Sequence, residues 1–333
     1  KLMERKTPLY ETHLKYGAKM FDFGGFIMPV QYKAGIKAEH MAVRQACGLF
    51  DVSHYGEVII SGPKALEAIN MLLTNDYTSL KVGSARYGML CNDKGGIKDD
   101  MITFRLAENK YMITVNSETQ ITDVEWMKSH SFGAEVTDIS AEVGSVSLQG
   151  PLAEKVIGKV TDAEGIPAKY YTFKQNSDIK GIKCMISRTG YTGEKGFEIY
   201  TSADEIANLW EIIMEAGKEE GILPIGLGAK DTLRLEAGMP LYGNDLNEEI
   251  NPLEADLGFA VKLNKPDFIG KKAMEEKGAP YKRVGFTVKG RGIVREDEDL
   301  YVGDEKVGFT TSGTCCAYLK QPLAMGYVRK EYT

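Results

Sequence analysis

Ser187-Arg188-Thr189-Gly190-Tyr191-Thr192-Gly193-Glu194-Lys195-Gly196-Phe197-Glu198-Ile199-Tyr200 sets three glycines and two threonines among strand-like residues. Such a segment reads as a shaped loop entering a strand. Glycine permits backbone angles and close approaches that a Cβ resists, so the loop can hold Tyr191 and Glu198 toward a pocket. Side chains alternate along a strand, which sends Phe197 and Ile199 to one face and Glu198 and Tyr200 to the other. The plainer reading of the same spacing is a hairpin with a solvated glutamate.

On either side, helical and strand periodicities alternate. Residues 36–48 carry apolar side chains at helical spacing and stop at a glycine. Residues 58–61 read as a strand, 64–73 as a helix, 86–92 and 100–105 as strands parted by the Lys94-Gly95-Gly96 turn, and 111–115 as a further strand. A helix over 118–130 contains Trp126. A second unit follows, with a strand at 144–148, a helix at 151–160, strands near 170–173 and at 183–187, and helices at 203–216 and 231–237. From 282 onward, alternating runs separated by glycines read as a small all-β module. The pattern is mixed, largely antiparallel α+β, without regular βαβ repeats.

At 333 residues the chain exceeds what one hydrophobic core usually supports, so two or three domains are expected. A hydrophobic fraction of 43% with 26% charged residues describes an ordinary globular protein. The net charge of -6 argues against a general nucleic-acid surface. No stretch approaches the roughly 20 apolar residues that span a bilayer, and residues 1–6 are charged without an apolar signal region. The expectation is a cytoplasmic protein, or one of the mitochondrial matrix in a eukaryote, with no membrane partner. Cys47, Cys91 and Cys184 sit in apolar sequence as small buried hydrophobes, and adjacent Cys315-Cys316 suit neither a metal site nor an easy disulfide. His13, His40, His54 and His130 show no metal spacing, so no metal is expected. Ser53-His54 lacks a nucleophile elbow, and Gly226-x-Gly228 lacks the third glycine of a dinucleotide site. The basic turn 289–295 reads as a solvated loop or as a dock for an acidic carrier.

The quoted segment resembles the SRTGYTGE-GFE signature of the glycine-cleavage T-protein family, the tetrahydrofolate-dependent aminomethyltransferases. Further blocks follow in that family's order: Thr7-Pro8-Leu9-Tyr10, Phe50-Asp51-Val52-Ser53-His54, Leu73-Thr74-Asn75-Asp76, Gly95-Gly96-Ile97-Lys98-Asp99-Asp100, Leu148-Gln149-Gly150-Pro151, Leu235-Glu236-Ala237-Gly238-Met239-Pro240-Leu241-Tyr242-Gly243 and Thr311-Ser312-Gly313-Thr314. Together they span nearly the whole chain. The resemblance implies an α+β, three-domain T-protein-like ring around a folate pocket, with two interleaved α+β domains and a C-terminal β-barrel. On this sequence that gives one discontinuous domain over 1–50 and 136–250, a second over 51–135, a connecting segment over 251–280 and the barrel module over 281–333. The family continues with further strands beyond the stretch matched here, so the barrel is expected to be incomplete, as if truncated.

The resemblance also assigns residues. It places the catalytic aspartate on Asp100 and leaves Asp99 a structural or supporting role, since neighbours on a strand face opposite ways. Folate contacts fall on Tyr87, Asn116, Tyr191, Glu198, Lys230 and Tyr55. A carboxylate at Glu198 can accept the paired N–H and amine donors of a pterin, and the tyrosines can border its rings. The implied reaction moves a one-carbon unit from the aminomethyl-dihydrolipoyl arm of the carrier H-protein to tetrahydrofolate and releases ammonia. A fixed carboxylate beside the cationic carbon and amines suits that chemistry.

Departures from the family pattern fall at the ligand. Lys230 stands where the family has arginine, Tyr55 where it has methionine, Phe26 where it has tryptophan, and Cys315-Cys316-Ala317 replaces an FSP-like stretch. Lysine keeps the charge but loses arginine's two-pronged grip on a carboxylate. Tyr55 and Lys230 leave room for a second reading, a folate-dependent demethylase or methyltransferase acting on a small methylated donor. A third is a noncatalytic folate-binding relative, against which the intact Asp100 speaks.

Overall fold

The structure is a computed structural model that describes residues 5–333, so the first four residues of the charged start lie outside it. The chain forms two compact units. The first consists of the described part of Lys1–Glu57 with Val82–Ala85 and Asp138–Arg234, and the second of Val58–Lys81, Arg86–Thr137 and Leu235–Thr333.

The first unit is built on a six-stranded sheet in the order Phe173–Ile179, Ile182–Ser187, Gly196–Ser202, Val143–Gln149, Gly48–Asp51, Leu223–Ile225. All pairs are antiparallel except the last. One face is apolar. Leu49, Val146, Leu148, Ile186, Phe197 and Ile199 meet the helix Ile206–Ala216, whose Ile206, Leu209, Trp210, Ile213 and Met214 fall at positions i, i+3, i+4, i+7 and i+8. Trp210 is 0% exposed, and each such fully buried side chain contributes about 1.5–3 kcal/mol. On the opposite face Phe50, Val52 and Ile225 pack with Val43 of the helix Ile36–Gln45 and with Ala229 and Leu233 of the helix Leu227–Glu236. Phe197 and Ile199 thus face the core and Glu198 faces away from it, the alternation expected from the sequence.

A three-stranded sheet of Arg5–Lys6, Phe26–Gln31 and Lys19–Phe23 completes this unit. Its hairpin turns on Gly24-Gly25, both at positive φ (58° and 79°), the geometry of a two-residue turn matched to strand twist. The strand expected near 170–173 instead begins at Phe173. Tyr171 sits at φ 57°, a left-handed angle that no strand accommodates. The helix expected over 231–237 starts four residues earlier, at Leu227. There the Glu39 carboxylate accepts the Gly226 amide (2.8 Å) and the Tyr32 amide (2.6 Å), fixing the entry to the helix from a residue far away in sequence. Lys230 therefore lies inside the helix rather than opening it.

In the second unit a five-stranded sheet runs Ala85–Cys91, Ile97–Ala107, Lys110–Val115, Gly56–Ser61, Glu135–Asp138. The helices Ala65–Leu72 and Gln120–Ser129 pack on it through Ala68, Ile69, Leu72, Val124 and Met127. Its C-terminal part is a four-stranded antiparallel sheet in the order Tyr281–Thr287, Gln321–Arg329, Glu305–Cys316, Asp299–Val302. No closed barrel forms among the described residues: Tyr281–Thr287 and Asp299–Val302 stand at opposite edges. The buried Asp245 carboxylate ties this sheet to the preceding segment, accepting from Ser312 Oγ (2.8 Å) and from the Thr311 hydroxyl.

Candidate active site

The loop that follows Ile182–Ser187 is pinned by one buried amide. Gln149 Nε2 donates to the Thr189 carbonyl (3.1 Å) and to Ser147 Oγ (3.0 Å), while its Oε1 accepts from Thr192 Oγ1 (3.0 Å). Arg44 Nη1 donates to the Thr192 carbonyl (2.6 Å) from outside. Gly196 pairs with Gln149 in register, and a Cβ there would stand 2.4 Å from the Leu148 carbonyl oxygen. Only glycine allows that approach.

This scaffold closes one wall of a pocket lined by Tyr55, Tyr191, Glu198 and Lys230, with Phe50 and Val52 at its base. Thr189 Oγ1 donates to Glu198 Oε2 (2.5 Å). Burial raises the Glu198 pKa above the ordinary glutamate value, and the Thr189 donor and the Lys230 charge oppose the rise. Burial lowers Lys230 to about 8, against the pull of Glu198, Asp51 and Asp231. Its Nζ donates to the Tyr55 hydroxyl and lies 4.5 Å from the centre of the Tyr55 ring and 5.8 Å from that of Tyr191. Lys230 is thus half-buried among aromatic faces, not projecting into water.

A second cluster gathers in the other unit. Asp99 and Asp100 lie on the strand Ile97–Ala107, Asn116 follows Lys110–Val115, and Tyr87 lies on Ala85–Cys91. Asp99 is wholly buried and Asp100 half-buried, as alternation requires. The Asn116 amide nevertheless reaches both carboxylates, with Nδ2 donating to Asp99 Oδ1 (2.6 Å) and to Asp100 Oδ1 (3.2 Å). Its backbone N–H donates to Asp99 Oδ2 (2.9 Å). Tyr87 Oη donates to Asp100 Oδ2 (3.0 Å), and its ring stacks on Phe259 at 5.9 Å. Burial first, and then the Asp99 charge, raise Asp100 to about 7, while the Tyr87 and Asn116 donors pull it down. Asp100 is therefore a carboxyl poised to change charge near neutral pH, the property that proton transfer requires.

The seven residues singled out from the sequence therefore fall in two groups: Tyr55, Tyr191, Glu198 and Lys230 together, and Tyr87, Asp100 and Asn116 together. Three neighbours were missed. Gln149 appears in the sequence only as part of a motif, Thr189 as one threonine of the loop, and Asp123 not at all. Ser53 and His54 do not pair: Ser53 Oγ donates to the Ser145 carbonyl (2.9 Å), and the buried His54 ring packs edge-on to Phe23 at 5.9 Å. Cys47, Cys91, Cys184 and Cys316 are buried free thiols and Cys315 is exposed.

Comparison with known proteins supplies the class. Residues 9–265 match the GCVT N-terminal domain and residues 282–333 the glycine cleavage T-protein C-terminal barrel domain. An aminomethyltransferase of Geobacillus sp. (strain WCH70) is 45% identical over 336 residues, covering 99% of this chain and 92% of the relative. One from Halalkalibacterium halodurans is 43% identical over 333 residues, with 99% and 91% covered. The crystal structure of glycine cleavage system aminomethyltransferase T from Bartonella henselae superposes with a TM-score of 0.90 at 34% identity, over 99% of this chain and 91% of that one. The protein is an enzyme, a transferase of mixed α+β fold. It belongs to the glycine-cleavage T-protein family, the aminomethyltransferases. No helix among the described residues is long and apolar enough to cross a membrane.

Proposed function

We propose that this protein transfers a one-carbon unit from the aminomethyl-dihydrolipoyl arm of H-protein to tetrahydrofolate, with release of ammonia, in the cytoplasm. The observation that carries the reading is the Asp100 carboxyl, half-buried, raised to about 7 and held by two donors. When bound, tetrahydrofolate supplies the two nitrogens that take up the carbon.

The chain's own residues then divide the work. Glu198 accepts the paired donors of the pterin edge; its Oε2 is already steadied by Thr189, and the strand aims the carboxyl into the pocket. Tyr55 and Tyr191 offer ring faces. The Lys230 ammonium meets the glutamate tail as a point charge. Asn116 and Tyr87 hold Asp100 in one orientation. As a carboxylate Asp100 stabilises the positive charge that develops at the carbon as its bonds to the carrier sulfur and to the amine break, and it relays a proton while the two folate N–H protons pass to the freed thiol and the departing ammonia. A cation beside it lowers its pKa from the resting value, so it ionises as the charge appears.

Incubation with aminomethylated H-protein and tetrahydrofolate tests the reading. Methylene-tetrahydrofolate with one equivalent of ammonia supports it. Methyl transfer from a small methylated donor replaces it with the alternative that Tyr55 and Lys230 leave open, and tight folate binding without turnover replaces it with the noncatalytic one.

A further inference from the structure

Asp123 lies on the helix Gln120–Ser129 and is 0% exposed. Neither of its carboxyl oxygens has a hydrogen-bond donor directed at it among the described residues. The nearby Thr119 hydroxyl gives its proton to the Asn116 carbonyl (3.3 Å). The side chain that acts most strongly on Asp123 is another carboxyl, that of Asp99, and the influence is mutual. Asp99 is equally buried and already accepts twice from Asn116, through the backbone N–H and Nδ2. Two buried carboxylates cannot face each other unpaired, so one proton must lie between them. Asp99 accepts two hydrogen bonds from Asn116 that favour its charged form, whereas Asp123 has only the Thr119 hydroxyl beside it, itself turned to the Asn116 carbonyl, which places the proton on Asp123.

We propose that Asp123 is a positioning residue for the transfer site: as a neutral acid it donates to Asp99, keeping Asp99 an anion that orients the Asn116 amide and, through Nδ2, the Asp100 carboxylate. The direction of its ionisation agrees: burial, followed by the Asp99 charge, pushes Asp123 up to about 10. The other charged and titratable groups around the cluster are Lys98, whose ammonium favours the Asp123 anion, and Tyr242, Tyr87 and Glu248. Tyr242 stays neutral and donates to the Ile97 carbonyl (3.0 Å). Glu248 is paired with Lys98 (3.2 Å). Lys98 and Tyr242 thus direct their protons elsewhere, to Glu248 and to the Ile97 carbonyl, and not at Asp123.

The catalytic consequence rests on Asp100 being the transfer carboxylate; the proton on Asp123 does not. Two measurements on the full chain keep them apart. Infrared difference spectra in mildly alkaline buffer should show a protonated-carboxyl carbonyl band in the wild-type protein that is lost in Asp123→Asn. A wild-type spectrum without that band overturns the proposal, whatever Asp100 does. For catalysis, Asp123→Asn keeps a donor to Asp99, so turnover should stay within about threefold of wild type with the acidic limb of its pH profile in place. Asp123→Leu removes the donor, drives a proton onto Asp99 and relieves its repulsion of Asp100. Turnover should then fall at least about tenfold and the limb should move to lower pH. A limb shifted in Asp123→Asn shows that Asp123 acts as a charge and overturns the proposal. So does an unshifted limb in a folded Asp123→Leu. If Asp123→Leu does not fold, the infrared band and the Asp123→Asn profile still decide.

Discussion

Lys230 and Glu198 oppose each other across one pocket, and their ionisation sets what the pocket can hold. In the proposed function Glu198 accepts two pterin donors, which requires the anion. Because burial raises its pKa, folate affinity should fall as pH drops toward that raised value. Glu198→Gln replaces an acceptor by a donor and should weaken folate binding by about 1–3 kcal/mol in calorimetry. Unchanged affinity would remove Glu198 from the pocket. Lys230 behaves in the opposite sense. With a pKa of about 8 it loses its proton as pH rises through that value, so affinity for a folate bearing its anionic tail should decline above it. Lys230→Arg stays charged and should keep affinity flat over the same range, while Lys230→Ala should bind more weakly with a shallower salt dependence. Identical salt slopes in wild type and Lys230→Ala would assign the tail to another cation. Of the pocket, Glu198 and Tyr191 were legible because their loop has a distinctive glycine spacing. Gln149 and Thr189 were not, since a buried amide that pins a loop has no sequence period of its own.

Between residue and fold, the loop and its two strands act as a single element. Gly196→Ala would put a Cβ 2.4 Å from the Leu148 carbonyl and 2.5 Å from the Gln149 side chain. Neither the backbone nor the pinned amide can retreat cheaply. The substitution should cost about 1–3 kcal/mol of stability in denaturant unfolding. It should also loosen folate, because it displaces Glu198 two residues on; full stability and affinity would show that the close approach is slack. Elements with strong periods were readable from the sequence: Ile206–Ala216 with its complete i, i+3, i+4 stripe, and Lys110–Val115 with its β-branched run. Those set by distant partners were not. Leu227–Glu236 begins where Glu39 caps it, and its Gly226 and Gly228 argue locally against a helix. The strand Phe26–Gln31 contains Pro29, which demotes any strand assignment made from sequence.

At the scale of the whole molecule, buried ionisable groups govern how stability responds to pH. Burial, with a further push from Lys230, lowers His54 to about 3 from an ordinary value of 6.5. Between those values the unfolded chain binds a proton that the native protein does not, so this group's contribution is fully present above about 6.5 and is lost as pH falls toward 3. His54→Leu should flatten the stability profile across that window, read as a smaller loss of unfolding free energy on acidification; an unchanged slope would contradict the buried neutral imidazole. The α+β class was legible because alternation and helical spacing are local signals. The unclosed C-terminal sheet was expected only through the family resemblance, since closure depends on strand pairings that no local pattern specifies. The central claim is that the folate pocket and the Asp100 carboxyl do separate jobs, one binding and the other transferring. The most direct test is Asp100→Asn, assayed on one preparation for folate binding and for turnover with H-protein. Folate at about 100 times its Kd should still stabilise the variant by about 2.7 kcal/mol, while turnover falls by about 10²-fold or more. An Asp100→Asn protein that turns over at the wild-type rate, or that loses folate stabilisation along with turnover, would contradict the account.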